Sequence, residues 1–170
     1  MSTDEPRASE RVFDGAVLSL DLEDWGQSYR HEVVHHPGAA AVLPITPDGD
    51  VVLVRQFRPA VRSTLTEIPA GLLDVRGEDA LTCASRELFE ETGFRHETID
   101  FLGGYYSTAG FSDEYVHLFV ARTPAEPEGE PEDGITLVRE PREAMVAAAR
   151  AGRVRDVKTA LALLMAVGRP

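Results

Sequence analysis

Three glutamates in this 170-residue chain have the type and spacing to do chemistry: Glu87, Glu90 and Glu91. Positions three and four apart on a helix share one face. Like charges there oppose each other by roughly 0.2–0.5 kcal/mol per pair, and a bound cation relieves that repulsion. Mg²⁺ takes hard oxygen ligands and completes its shell with water and phosphate oxygens. The face is therefore a candidate platform for a metal that bridges to a phosphate. Arg86 precedes Glu90 by four residues, near enough on a helix to hold a carboxylate in place. The same run also suits a solvated surface helix, where Arg-Glu and Glu-Glu sequences are common.

The elements around these residues are legible in outline. A helix is predicted over residues 79–92, with Leu81, Ala84 and Leu88 as its buried stripe and Gly93 as its stop. Before it, strands are expected within residues 12–34, at 38–45 (GAAAVLPI) and at 51–55 (VVLVR). Pro47-Asp48-Gly49-Asp50 reads as a hairpin turn between the last two. Residues 56–65 read as a proline-bearing loop. After the helix come strands at 99–106, 115–121 and 135–139, a Pro/Glu/Gly-rich loop over 124–134, and helices at 143–151 and 156–167. Mixed strands with few helices indicate an α+β fold. Residues 1–11 read as a flexible N-terminus.

Composition narrows the function classes. A hydrophobic share of 43% is enough for one compact core. A net charge of −12 argues against nucleic acid and against an anionic membrane as partners. An acidic protein still handles a phosphorylated small molecule when divalent cations sit between them. The single cysteine, Cys83, excludes an intrachain disulfide and reads as a core residue. The polar N-terminus and the lack of a membrane-spanning run point to the cytoplasm. His31, His35 and His36 cluster without metal-ligand spacing to a second group and read as incidental.

The segment Gly71 to Phe94 resembles the signature of the Nudix hydrolases. Glu78 is followed by seven residues and then by Arg86-Glu87-Leu88-Phe89-Glu90-Glu91-Thr92-Gly93-Phe94. The departures are six residues instead of five between Gly71 and Glu78, and an aromatic at Phe94. The resemblance implies an α/β/α sandwich on a mixed sheet. It also implies hydrolysis of a nucleoside diphosphate linked to another group. The expected organisation is a flexible 1–11, N-terminal antiparallel strands over 12–37 that dimerise, and a Nudix domain over 38–170.

The flanks Val54-Arg55-Gln56-Phe57-Arg58-Pro59 and Glu67-Ile68-Pro69-Ala70-Gly71 are similar to the ADP-ribose pyrophosphatase branch. Carried over by position, the resemblance implies metal ligands at Ala70 (backbone oxygen), Glu87 and Glu91, with Glu78 and Glu90 in support. It puts Arg58 and Glu67 at the substrate pocket. Ser107 to Glu114 resembles a further branch loop, with Ala109 where proline is usual; Glu114 is a candidate contact for substrate. The general base of related enzymes comes from the box helix or a later loop. Here that leaves Glu90, or Glu132 with Glu130 and Asp133 as rivals, and Arg86 as the partner of the helix carboxylates. The branch forms homodimers through N-terminal strands, where Arg30, His31 and Trp25 are placed to reach a pocket. Trp25 suits either base stacking or the interface.

The expected protein is thus a homodimeric, Mg²⁺-dependent pyrophosphatase (Mn²⁺ or Zn²⁺ being alternatives). Its expected substrate is ADP-ribose or a close nucleotide sugar. Two other readings stand beside it: a nucleotide-pool cleaner acting on modified nucleoside triphosphates, and a non-catalytic ADP-ribose sensor.

Overall fold

The computed structural model describes residues 5–168. The chain opens with a three-stranded antiparallel sheet: β1 (Ala8–Asp14), β2 (Ser19–Asp24) and β3 (His31–His35), in that order. Residues 8–11, expected to be flexible, already pair with β2, and Arg11 reaches across to Asp21. Polar side chains hide this strand in the sequence, because it is exposed along its whole length. The expected flexibility of residues 1–4 lies outside the described residues.

The second sheet is built on β4 (Ala39–Ile45), which is buried from end to end. Such a strand needs cover on both faces, and alternate side chains divide between two cores. Ala39, Ala41, Leu43 and Ile45 join one core, and Ala40 and Val42 the other. A turn with Gly49 at φ +85° leads to β5 (Asp50–Arg58). β5 runs longer than expected. A 3-10 turn at Pro59–Val61 reverses the chain into β6 (Ser63–Glu67), which pairs back onto β5. The reading of residues 56–65 as loop fails because Pro59 punctuates a hairpin; its fixed φ begins the turn just past the last β5 pair.

β7 (Ala70–Leu72) pairs with β4 and leads to α1 (Ala80–Thr92). Asp79 caps this helix by accepting from the Thr82 N–H at 2.8 Å, and Gly93 ends it at φ +72°. Then come β8 (Thr98–Tyr106), β9 (Tyr115–Arg122), β10 (Thr136–Pro141), α2 (Arg142–Arg150) and α3 (Val157–Met165). The sheet order is β10-β5-β4-β9-β8, with β6 on β5 and β7 on β4. β4 and β9 run parallel and the other pairs antiparallel, so the sheet is mixed.

Cys83, Ala84 and Leu88 of α1 pack on one face of this sheet, and Ala149, Ala162, Leu163 and Ala166 pack on the other. The result is an α+β, α/β/α sandwich carrying an extra N-terminal sheet. Leu81, expected in the α1 stripe, is 45% exposed. The buried arc of α1 turns instead toward Cys83 and Glu91, which leaves Leu81 at its border in the first turn. No helix of the described residues is long and apolar enough to cross a membrane.

Candidate active site

The carboxylates of α1 do not share one environment. Glu91 is buried at 6% exposure and Glu87 nearly so, whereas the Glu90 side chain is 49% exposed. The first two face β7. The Ala70 N–H donates to Glu91 Oε2 at 3.0 Å. A Cβ on Gly71 would sit 1.9 Å from Glu87 Oε1, so only glycine admits that carboxylate at this point. Glycine here answers to a close approach of side chain to backbone.

Burial raises the Glu87 carboxyl above its usual range. It pushes Glu91 up to about 7; the Ala70 N–H opposes this, the Glu87 charge adds to it, Arg58 opposes and Glu132 adds. Two carboxylates held together in a drying environment are costly unless a cation joins them. The oxygen-only donor set of Glu87, Glu91 and the adjoining Ala70 carbonyl suits a hard divalent ion.

Arg86 organises the outer side. It binds both oxygens of Glu78 at 2.8 and 3.0 Å, Glu87 at 2.5 Å and Glu90 at 2.8 Å. Glu78 is 7% exposed, and Arg86 holds its carboxyl below the usual range. Both Glu78 oxygens are thus committed to Arg86, which in turn reaches Glu87 and Glu90. Glu132 comes to the other end of α1: its N–H donates to the Glu90 carbonyl at 2.9 Å. The loop is pinned there because the Glu128 and Gly129 N–H groups bind the Gly93 carbonyl. A Cβ on Gly93 would meet the Gly129 oxygen at 2.0 Å. Its rivals Glu130 and Asp133 make no such contact.

Arg58 and Glu67 form a bidentate pair at 2.8 and 2.9 Å across the β5–β6 hairpin. Glu67 is 1% exposed, and Lys158 Nζ also reaches it at 3.3 Å. Lys158 in turn binds Asp156 at 2.7 Å. Asp156 caps α3 through the Thr159 N–H, and Thr159 Oγ1 accepts from the Ile68 N–H at 2.8 Å. The start of α3 thus clamps the Glu67-to-Ala70 segment, which holds the Arg58 guanidinium and donates the Ala70 N–H to Glu91. Asp156, Lys158 and Thr159 were missed in the sequence. A helix cap was legible there, but not its packing against residues 91 positions away.

The remaining expected residues lie elsewhere. Arg30 pairs with Glu10 of β1 at 2.6 Å, inside the N-terminal sheet. Glu114 accepts from Ser107 Oγ, and Ser107 N–H to Glu114 carbonyl closes the loop that holds Ala109. That loop meets β3 through Val34 N–H to Phe111 carbonyl and Asp113 N–H to Val34 carbonyl. Between them lies a cavity of about 560 Å³ lined by Trp25, His31, Tyr106, Ala109 and Phe111.

The reading of the histidines as incidental fails for His35. It bridges Asp113 (2.7 Å) and Asp21 (3.3 Å), and His35, Asp21 and Glu23 form a grouping on β2 and β3. Arg11 and Trp25 already satisfy the two carboxylates there. Cys83 is buried, its thiol pushed up to about 12 chiefly by that burial. It is a core side chain and no nucleophile.

Comparison with known proteins places the chain in a family. The NUDIX domain pattern matches residues 34–161, and the chain belongs to the Nudix family. It is 42% identical over 118 residues to the ADP-ribose pyrophosphatase of Bacillus subtilis, covering 67% of this chain and 63% of that protein. It is 37% identical over 121 residues to the ADP-ribose pyrophosphatase of Mycobacterium tuberculosis, covering 69% and 58%. The matched part is therefore less than two thirds of either relative. A GDP-mannose pyrophosphatase of Cronobacter sakazakii is 32% identical over 170 residues, covering 91% and 88%. Among solved structures, an ADP compounds hydrolase superposes with a TM-score of 0.76 at 22% identity, over 98% of this chain and 95% of that one; it shares the fold.

Proposed function

We propose that this chain hydrolyses the diphosphate linkage of ADP-ribose or a close nucleotide sugar, releasing a nucleoside monophosphate and a sugar phosphate. The observation that carries the reading is the closure of Ala70 and Gly71 onto the paired carboxylates of Glu91 and Glu87. The relatives named as ADP-ribose and GDP-mannose pyrophosphatases support the substrate class.

Glu87, Glu91 and the Ala70 carbonyl would hold a divalent ion, Mg²⁺ by the hardness of the ligands. When bound, that ion supplies neutralisation of phosphate charge and a lowered pKa for the attacking water. The chain's own residues do the rest. Arg86 fixes the carboxylate face. Arg58, oriented by Glu67 and Lys158, offers its guanidinium to an anionic substrate. Glu132, an exposed carboxylate without an ion-pair partner and anchored to the Glu90 carbonyl, takes the proton from water. Glu90 is the weaker choice of base, because Arg86 occupies it. The oxygen of water bonds to phosphorus, the phosphoanhydride P–O bond breaks, and its electrons leave with the second phosphate.

We further propose a homodimer working in the cytoplasm. The support is the exposed apolar surface of the N-terminal strands and turn, Val12, Phe13, Val17 and Leu18. Sedimentation checks the dimer. The activity is checked with Mg²⁺ and a panel of ADP-ribose, GDP-mannose, ADP-glucose and nucleoside triphosphates. Preferred release of a monophosphate from a nucleotide sugar supports the reading, and preference for triphosphates overturns the substrate. A folded, metal-binding protein that cleaves nothing on the panel overturns the enzyme.

A further inference from the structure

Three arginines surround a second cavity, of about 380 Å³: Arg55 on β5, and Arg153 and Arg155 between α2 and α3. It lies on the sheet face opposite α1. Arg55 continues the β5 face of Val51 and Leu53, which belong to the core beneath α2 and α3. Thr66 is its direct cross-strand partner, and Thr64 follows on the same face of β6. Met145 of α2 and Val154 supply an apolar wall.

The charge of this cavity is out of keeping with the chain. Acidic residues outnumber Lys and Arg by 29 to 17, yet here three guanidiniums face the single carboxylate of Glu140. Among the described residues the ion pairs engage Arg11, Arg30, Arg58, Arg86, Arg95 and Arg139, and give Arg55, Arg153 and Arg155 no carboxylate partner. All three arginines are exposed and together outweigh Glu140, so the cavity carries a local positive charge that attracts an anion with several oxygens. Guanidiniums match phosphate geometry with paired N–H donors, and threonine hydroxyls add further donors. The volume falls in the range of small-molecule sites, roughly 300–1,000 Å³. There is room for a phosphate and an attached organic group.

We propose that this cavity binds a phosphomonoester, with its phosphate on Arg55, Arg153 and Arg155 and its organic part against Met145. The same phosphate chemistry is offered by inorganic phosphate and by a mononucleotide. The site is separate from the carboxylate face and does not depend on the reaction assigned there.

The test is ¹³C-methyl methionine NMR of the full chain in EDTA, titrated with inorganic phosphate, AMP and adenosine. Met145 lines the cavity, while Met165 packs at Tyr105 and reports non-local change. Saturable shifts of Met145 but not Met165 with phosphate and AMP are expected, with about tenfold weaker binding in Arg153→Gln/Arg155→Gln and in Arg55→Gln. Tighter binding of AMP than of phosphate assigns the apolar wall to the organic part; equal binding assigns a phosphate site alone. A silent Met145 overturns the proposal, as does adenosine acting as strongly as AMP. So do arginine variants that bind phosphate normally but change the sedimentation of the chain, which would assign the cavity to a protein contact.

Discussion

The α1–β7 junction and the N-terminal sheet handle charge in opposite ways. At the junction, Glu87 and Glu91 are buried against backbone, and three features orient them: a capped helix, a glycine strand, and Arg86 spread over three carboxylates. The N-terminal sheet is tied to the rest by two backbone hydrogen bonds at Val34 and by partly exposed pairs such as His35–Asp113. Burial makes each group of the first region matter strongly. Solvent screening makes each tie of the second weak and individually replaceable.

The largest break in that contrast is expected from Glu91→Gln. It keeps an acceptor for the Ala70 N–H but removes the charge, so kcat should fall by about 10³-fold while the fold persists. The same variant tests pH dependence. The folded carboxyl titrates near 7, above its ordinary value of 4.5, so ionisation disfavours the metal-free fold. The native protein in EDTA should lose stability from about pH 4.5 up to 7, on the order of a few kcal/mol, and remain level above. Glu91→Gln should be flat across that window, and Mg²⁺ should restore the native protein above pH 7. Melting temperature against pH, with and without metal, decides it.

Next comes Gly71→Ala. Its methyl group would displace the Glu87 carboxylate, costing about 10²-fold in activity and about 1–3 kcal/mol in stability, read by kcat and urea unfolding. Smaller in activity, though larger in stability, is Lys158→Met. It leaves Glu67 buried with Arg58 alone, so about 2–4 kcal/mol of stability should go. KM should rise about tenfold through a misplaced Arg58, with kcat less affected. Smallest is Asp113→Asn, which weakens one tie of the N-terminal sheet. Stability should change by less than about 1 kcal/mol, and a larger loss would show that the two regions are more alike than their burial implies.

The elements around the site were legible because they are short-range events. Asp79, Gly93 and the i+3, i+4 glutamates act within one helix, and Asp48-Gly49 within one turn. The roles of Arg58 and Glu67 came only from resemblance, since nothing local joins residues nine apart. The β5–β6 hairpin was misread as loop because its pairing partners are polar and its turn contains proline.

By itself, then, the sequence determined the helix, its glycine stop, the buried strands β4 and β5 with the turn between them, and the set of carboxylates on α1, all of which depend on neighbours a few residues away. Only the tertiary structure decided which carboxylates differ: Glu91 buried, Glu90 outside, Glu78 committed to Arg86. It likewise decided that Lys158 and Thr159 brace the Glu67-to-Ala70 segment, and that three arginines with no local pattern meet at one cavity. Burial and charge pairing are properties of surfaces brought together by packing, and no stretch of sequence contains both sides of such a contact.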